Sequence, residues 1–375
     1  MTIVAMDEML RHAYANGYAV PSFEINSLEI LLGVISAAEQ NHSPVILAVT
    51  EEQLDKVNFA VLMPSIENAA RQATVPVAIQ LHDATSLESA VRAINAGCNA
   101  VMIDTRHLSI DNNVVLTHKI AEMAHACGVT VEGGLNSLPD INMAISYVGQ
   151  TTVDSLNITS NVIYAYKTHE SMLDDYDLTA LREQLSIPLV IRSGFGLSEE
   201  QFYPLISNGV SKINFGAVLN DAVDTWIRFN IEDSEIGYAE LMQSLQDIVS
   251  GEVEACIQVC QSGGQADNIL NHCTHWLPVE HVIHFNVSGI NGQQAEAMMA
   301  EGRQSLRTIP GVRKVITARA VKEDAQYRFS WLIRFCHPAV IDSYRDHPLH
   351  VAFADKLFRP VAGDRISIDY QWNVA

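Results

Sequence analysis

Short apolar segments rich in β-branched residues recur eight times in the first 215 residues, and each is followed by a stretch with helical periodicity. The segments occupy positions 20–23, 45–50, 77–82, 100–104, 130–133, 155–159, 189–192 and 212–215. Runs of this length and composition predict buried strands. Strand and helix alternating eight times predict an α/β fold, a (β/α)8 TIM barrel, whose active site would lie at the carboxyl-terminal ends of the strands.

The pattern changes after residue 260. Positions 261–268 (QSGGQADN) are polar and contain two glycines, as is typical of a linker. A strand at 281–285 is then followed by a helix at 293–308, strands at 314–320 and 328–335, a helix starting at 338–344 and a strand at 365–370. This β-α-β-β-α-β order predicts a small α+β ferredoxin-like domain. We therefore predict a barrel over 1–260, a linker over 261–278 and a second domain over 279–375.

The barrel segment contains four distinctive motifs: GYAVPSFEIN at 17–26, NHSPVIL at 41–47, AG at 96–97 before VMID at 101–104, and GVSKIN at 209–214. Together they resemble the motifs of class II, metal-dependent ketose-bisphosphate aldolases, the fructose- and tagatose-bisphosphate enzymes. The resemblance covers roughly residues 5–260. It implies a zinc ion at the barrel mouth, acting as a Lewis acid on a ketone and held by three protein ligands.

The residues that the resemblance would place around zinc are changed. After strand three these aldolases carry His-Leu-Asp-His-Gly, with the Asp as acid/base and the second His as a zinc ligand, whereas positions 80–84 read Gln-Leu-His-Asp-Ala. The second zinc His belongs to a Gly-Thr-Ala-His type segment after strand six, but 159–164 read TSNVIY and no His occurs before His169. The third, after strand seven, is replaced by Arg192. We predict that the His-ligated zinc is absent and that no cofactor replaces it.

Four side chains near the strand ends remain as catalytic candidates in the barrel: His82, Asp83, Asp104 and Glu132. Glu132 is the first carboxylate of a Glu-x-Glu segment whose second position holds Gly134. A histidine beside a carboxylate makes an acid–base pair, because imidazole titrates near neutrality. The alternatives are a histidine with no catalytic duty, and a rebuilt metal centre that adds His107 or His169 to this set. The rebuilt centre requires an irregular strand, because adjacent side chains of a regular strand face opposite ways.

Arg192 carries a permanent charge and cannot ligate a metal. One interpretation is an anion receptor that holds a carboxylate or phosphate in bidentate geometry. The other is a buried ion pair with Asp83 or Asp104 that fills the space of the metal.

The loops after strands seven and eight bind phosphate in the aldolases, through Gly-Gly-Ser-Gly and Asn-x-Asp/Ala-Thr segments. Here the first reads Ser193-Gly194-Phe195-Gly196 and the second Asn214-Phe215-Gly216-Ala217. The resemblance therefore implies that Ser193, Gly194, Gly196, Asn214 and Gly216 bind a phosphate, with backbone N–H groups at a helix N-terminus. The same glycines would also serve the turn alone.

The second domain resembles stress-responsive dimeric α/β-barrel domains over residues 279–371. The resemblance rests on IPGV at 309–312, YRDHPLH at 344–350 and IDY at 368–370. Such domains pair through their sheets, which implies a homodimer or a higher homo-oligomer. In relatives that are polyketide cyclases, the Tyr and the last His of the second motif carry an aldol condensation, and here they are Tyr344 and His350. The motif also shapes a turn in relatives without known activity.

Charge and composition limit the possible partners. The net charge of −21 comes from 23 basic and 44 acidic side chains, and it argues against nucleic acid and anionic membranes as partners. We expect no leader sequence and no membrane span, and hence a cytoplasmic protein. Six cysteines form no disulfide pattern. Cys256, Cys260 and Cys273, with His272 and His275, could hold a structural zinc ion, but ordinary cysteines are the simpler interpretation.

Three functions remain open. The first is a divergent aldehyde lyase acting on a phosphorylated or carboxylated ketone, with His82 as acid/base and Arg192 holding the anion. Its weakness is the electrophile, since we expect Lys212 to point outward and Lys167 is the other nearby amine. The second is an inactive, dimeric metabolite-binding protein. The third is a cyclase or condensing activity at Tyr344 and His350. In the first two, the partner is a small anionic metabolite such as a sugar phosphate.

Overall fold

In the computed structural model, eight parallel strands close into a barrel in sequential order, with β1 hydrogen-bonded to β8. The structure describes residues 2–55, 59–105, 107–135, 141–158, 178–192, 199–230 and 237–372. The strands are β1 Val20–Glu24, β2 Val45–Thr50, β3 Val77–Ala84, β4 Ala100–Ile103, β5 Thr130–Gly134, β6 Ser155–Asn157, β7 Leu189–Arg192 and β8 Val210–Phe215. The predicted TIM barrel is confirmed.

Helices pack around the barrel. They are α1 Met6–Asn16, α2 Leu28–Gln40, α3 Glu51–Leu54, α4 Phe59–Gln72, α5 Leu87–Ala96, α6 Ile110–His125, α7 Ile141–Thr151, α8 Leu178–Leu185, α9 Glu199–Ser207, α10 Val218–Asn230 and α11 Tyr238–Cys260. Local sequence sets several starts: the side chains of Ser27 and Ser86 accept hydrogen bonds from backbone N–H groups in the first turns of α2 and α5, which is the usual N-cap interaction. The strands are buried on both faces, as parallel strands under helices must be.

The predicted linker is folded against the barrel. It contains helix α12, Ala266–His272. The backbone N–H groups of Gly264 and Ala266 donate to the carbonyl oxygens of Asn41 and His42, at 2.9 and 3.0 Å, and Trp276 is buried. Part of the interval between the two domains is therefore an ordered extension of the barrel.

The second domain is a four-stranded antiparallel sheet with helices on one face, as the β-α-β-β-α-β pattern predicts. Its elements are β9 Val279–Phe285, α13 Gly292–Leu306, β10 Val312–Arg319, β11 Phe329–Phe335, α14 Val340–Asp346, α15 Pro348–Phe353, a π-helical turn Ala354–Phe358 and β12 Arg365–Gln371. The strand order is β10-β11-β9-β12. Trp331 on the covered face packs edge-on against Phe353 and Phe358.

The second domain docks on the amino-terminal side of the barrel. Arg313 on β10 forms a bidentate ion pair with Glu67 of α4, at 2.6 and 2.7 Å, and donates to the carbonyl oxygen of Ala96 at 3.0 Å. The ring of His337 lies against Gly128, where an added Cβ would come within 2.4 Å of its Nδ1 atom. Ala96 is the last residue of α5, just before β4, and Gly128 lies in the loop that leads into β5, so this contact lies at the end of the barrel opposite the carboxyl-terminal mouth.

The cysteines contribute no thiolate cluster. All six are buried, and burial raises the pKa of Cys256 and Cys273 to about 12. Within the described part of the chain, no three His, Cys, Asp or Glu side chains are grouped as a metal site requires. The structure thus gives no support to the zinc alternative at Cys256, Cys260 and Cys273. In the same part of the chain, no helix is long and apolar enough to span a bilayer.

Candidate active site at the barrel mouth

A buried ion pair crosses the barrel interior. The Nζ atom of Lys212 lies 2.6 Å from Oε2 of Glu132, and both side chains are fully buried. The expectation that Lys212 points outward is wrong. Because side chains alternate along a strand, Lys212 and Asn214 lie on the same, inner face of β8. Glu132 from β5 compensates the charge of Lys212. Burial lowers the pKa of Lys212, and Glu132 opposes that shift.

The carboxylate of Glu132 accepts hydrogen bonds from three side chains. Besides Lys212, it accepts from Nε2 of Gln80 at 3.0 Å and from Nδ2 of Asn157 at 3.1 Å. A carboxylate that is held by three neighbours and excluded from solvent is a structural anchor. The catalytic role predicted for Glu132 is therefore not supported by its position.

His82 lies directly above this network and is almost completely buried. Its Nε2 atom is 3.1 Å from Oε1 of Gln80 and 3.5 Å from Oγ of Ser22. Its Nδ1 atom has no hydrogen-bond partner within the described residues, and the nearest carboxylate oxygen, Oε1 of Glu24, is 4.0 Å away. Burial, with smaller effects from Lys212 and Arg192, lowers the pKa of His82 well below its ordinary value. The imidazole is therefore neutral at physiological pH.

A bulge in β3 turns Asp83 to the same mouth. Its φ angle is 57°, and the pairing of β3 with β4 is irregular between Leu81 and Ala84. Nη2 of Arg192 donates hydrogen bonds to this carboxylate, at 3.1 Å to Oδ1 and 3.4 Å to Oδ2. The two side chains are 27% and 26% exposed. Of the two interpretations of Arg192, the ion pair with Asp83 is the one observed, so this guanidinium is not an unoccupied anion receptor.

This ion pair takes two positions at which the aldolase motifs carry zinc ligands. A guanidinium holds its proton and presents only donors, and its charge repels a cation. Asp83 is already paired with it. The described residues at these positions do not fit a His-ligated zinc ion.

Asn214 is the least satisfied polar side chain at the mouth. It is 1% exposed, and neither Nδ2 nor Oδ1 has a partner in the described part of the structure. It is in register with Ser22 on β1 and with Arg192 on β7. A buried amide with an open donor and an open acceptor is unusual without a polar ligand. At Gly216, an added Cβ would lie 3.3 Å from Oε1 of Glu24.

Other predicted residues are less informative. Asp104 follows β4, and its backbone N–H donates to the carbonyl oxygen of Ala84 at 2.9 Å, while His107 is exposed. The predictions for Ser193, Gly194, Gly196, His169 and Lys167 concern residues outside the described part of the structure. Motif comparison overlooked Ser22, Glu24 and Gln80 as site residues, although all three stand inside or beside the motifs.

A second polar cluster lines a cavity of about 370 Å³ between the sheet and the helices of the second domain. The rings of Tyr344 and His350 lie in this cavity with centroids 4.4 Å apart. Burial raises the pKa of Tyr344 and lowers that of His350. A further pair in the same cavity has no local signal in the sequence: Nδ1 of His281 lies 2.6 Å from Oδ1 of Asp369.

Comparison with known proteins agrees with this geometry. The profile described as "Fructose-bisphosphate aldolase class-II" matches residues 4–265. The chain belongs to the class II fructose-bisphosphate aldolase family. A second profile, "Stress responsive A/B Barrel Domain", matches residues 279–372. Both resemblances noted in the sequence are thus confirmed.

Individual relatives support the assignment to the aldolase family. Fructose-bisphosphate aldolase of Geobacillus stearothermophilus is 34% identical over 231 residues, covering 57% of this chain and 80% of that protein. Probable fructose-bisphosphate aldolase of Bacillus subtilis is 33% identical, covering 57% and 81%. The crystal structure of the YdjI aldolase from Escherichia coli K12 matches with a TM-score of 0.63 and 25% identity, over 71% of this chain and 100% of that one.

Proposed function

We propose that the barrel is a divergent aldolase-type site that binds a small anionic hydroxy compound, of the sugar-phosphate class, without a His-ligated zinc ion. The observation that carries the proposal is the Arg192–Asp83 ion pair across the mouth. It keeps a positive group where the aldolase motifs place a metal ligand, but a guanidinium has no vacant orbital with which to coordinate a ketone oxygen as a Lewis acid. The ligand class is suggested by relatives that bear the name fructose-bisphosphate aldolase.

Carbon–carbon cleavage needs an electron sink, which a metal ion or a protonated Schiff base can supply. Lys212 is poorly suited to form a Schiff base, because its ammonium group is fully buried against Glu132. The described mouth therefore offers a neutral histidine and an open amide, but no electrophile of either kind. These features favour metabolite binding over aldol cleavage by the zinc mechanism.

The test combines metal analysis with an assay of cleavage. We expect purified protein to contain no stoichiometric zinc and to leave fructose and tagatose bisphosphates uncleaved, before and after Zn²⁺ is added. We expect calorimetry to detect fructose 1,6-bisphosphate binding that Asn214→Leu weakens about fivefold, since a lost hydrogen bond is worth roughly 1 kcal/mol. Arg228→Ala, on the exposed face of α10, is the matched control and should bind like wild type. One zinc ion per chain together with cleavage would overturn the proposal.

The cavity of the second domain supports a second candidate, a condensing or cyclising activity. Tyr344 and His350 adjoin one another in this cavity, and Nδ1 of His350 donates to the carbonyl oxygen of Arg345 at 2.9 Å. Its Nε2 atom is then the basic nitrogen, as proton abstraction next to a carbonyl requires.

Solvent exchange at a ketone tests this second candidate. We expect wild-type protein to accelerate deuterium uptake at C3 of 2-heptanone in D2O, followed by NMR, and His350→Gln to lose most of that acceleration, since general base catalysis is worth about 100-fold or more. Ile333→Trp, which fills the cavity, should abolish the exchange as well. Equal rates in all three proteins would remove this candidate.

We also propose that the chain forms a homodimer through the second domain. The face of its sheet opposite the helices carries exposed apolar side chains on two strands, namely Ile316, Ile366, Ile368 and Tyr370. Apolar side chains aligned on an open sheet face favour burial against a second copy. The match to the stress-responsive barrel profile supports the same arrangement.

A further inference from the structure

We infer that Gln80 sets the tautomer of His82, so that Nδ1 faces the barrel mouth as a proton acceptor for a hydroxyl group of the ligand. This inference rests on the proposed metabolite site and specifies the chemistry that the site recognises. Gln80 acts through His82 and is a positioning residue.

Glu132 and Lys212 form a buried ion pair. Lys212 lies 2.6 Å from this carboxylate, in an interior where an ion pair is stable only if both partners stay charged. An ionised carboxylate only accepts hydrogen bonds. The side chain of Gln80 must therefore turn its NH2 group toward Glu132, where the distance is 3.0 Å.

The orientation of the Gln80 amide determines which nitrogen of His82 carries the hydrogen. With its NH2 group committed to Glu132, Gln80 presents its carbonyl oxygen to His82, 3.1 Å from Nε2. A carbonyl oxygen accepts and cannot donate, so Nε2 must carry the hydrogen. In a neutral imidazole the other nitrogen, Nδ1, then holds a lone pair. This atom is buried and has no partner in the described structure.

The open polar atoms of His82 and Asn214 determine which group of the ligand binds beside them. An unprotonated Nδ1 accepts only from a donor, which an ionised phosphate or carboxylate oxygen is not. The open amide of Asn214 occupies the same end of the barrel interior, two residues beyond Lys212 on the inner face of β8. Nδ1 of His82 and Oδ1 of Asn214 can accept hydrogen bonds, and Nδ2 of Asn214 can donate them. This set suits a ligand with adjacent hydroxyl groups or a hydroxy-ketone. The hydroxylated part of the ligand, and not its anionic group, belongs beside His82.

Nitrogen NMR on protein with ¹⁵N-labelled histidine rings reads the tautomer without any ligand. We expect the His82 signals, assigned by their loss in His82→Gln, to show a protonated Nε2 and an unprotonated Nδ1. In Gln80→Met, which keeps the Lys212–Glu132 pair, the single tautomer should give way to a mixture. Ser22→Ala removes only the 3.5 Å contact and should keep the wild-type tautomer. An unprotonated Nε2 in wild type, or an unchanged tautomer in Gln80→Met, would overturn the inference.

The ligand chemistry is tested with two probes that share a phosphate, glycerol 3-phosphate and propyl phosphate. We expect glycerol 3-phosphate to shift the Nδ1 resonance of His82 and propyl phosphate, which has no hydroxyl, to leave it unchanged. Equal shifts with both probes would contradict the assignment of the hydroxyl group. If calorimetry detects neither probe, the proposed metabolite site and the ligand assignment fail together, while the tautomer measurement stands on its own.

Discussion

Lys212→Met is expected to destabilise the barrel by about 3–5 kcal/mol, because it leaves the carboxylate of Glu132 buried without its cation. The two groups are 2.6 Å apart and have no exposure to solvent. The remaining partners of Glu132, Gln80 and Asn157, are neutral amides and cannot compensate a full charge. Urea unfolding monitored by circular dichroism would give the change in the free energy of unfolding.

The double variant Lys212→Met/Glu132→Gln separates a lost charge pair from lost packing. If the unpaired charge causes the destabilisation, the double variant should be more stable than Lys212→Met alone, with a coupling energy of about 1–3 kcal/mol. The exposed pair Arg228–Asp224 on α10 is the matched control, and Arg228→Ala should cause no measurable change. A double variant less stable than either single variant would contradict this account.

Ile368→Lys is expected to convert a dimer into a monomer. Ile368 is 41% exposed in the middle of the edge strand β12, on the open sheet face, so a lysine there is hydrated in the monomer and buried only at the proposed interface. In a symmetric dimer the charge is introduced twice on the same surface. We expect the dissociation constant to rise at least about 100-fold, or roughly 2.7 kcal/mol, in sedimentation equilibrium.

Val321→Lys makes the same chemical change elsewhere. Val321 is 99% exposed in the connection between β10 and β11, away from the sheet face. This variant should sediment as wild type does. A wild-type protein that stays monomeric at high concentration would reject the proposed dimer, and loss of the dimer in both variants would point to net charge instead of the interface.

The strands could be predicted because their signals are local. The apolar runs at Val45–Thr50 and Leu189–Arg192 have the predicted bounds in the structure, and each is closed by a polar residue at the barrel mouth. The order of elements in the second domain was equally clear. Burial on both faces of a parallel strand leaves a continuous apolar run that one sequence suffices to recognise.

The interior of the site could not be read in the same way. The place of Lys212 at the start of its strand predicts that it points outward, but its buried partner, Glu132, is 80 positions away in sequence. His281 and Asp369 are 88 positions apart. The pairing of Arg192 with Asp83 depends on a bulge in β3, and it joins two residues that are 109 positions apart in sequence. These contacts are set by how distant strands meet, and local patterns carry no record of them.

The docking of the second domain also determines how the two cavities could communicate. Among the described residues, the cavity of the second domain is lined only by residues of that domain, from His281 to Asp369 in sequence. Arg313 holds the domain at the amino-terminal side of the barrel. The barrel mouth opens at the other end. A compound produced at one site and consumed at the other would therefore equilibrate with the bulk pool, and unlabelled compound added to the medium would dilute it. Fusion of the two domains in one chain keeps them in equal numbers, but it does not create a channel for direct transfer of a compound between them.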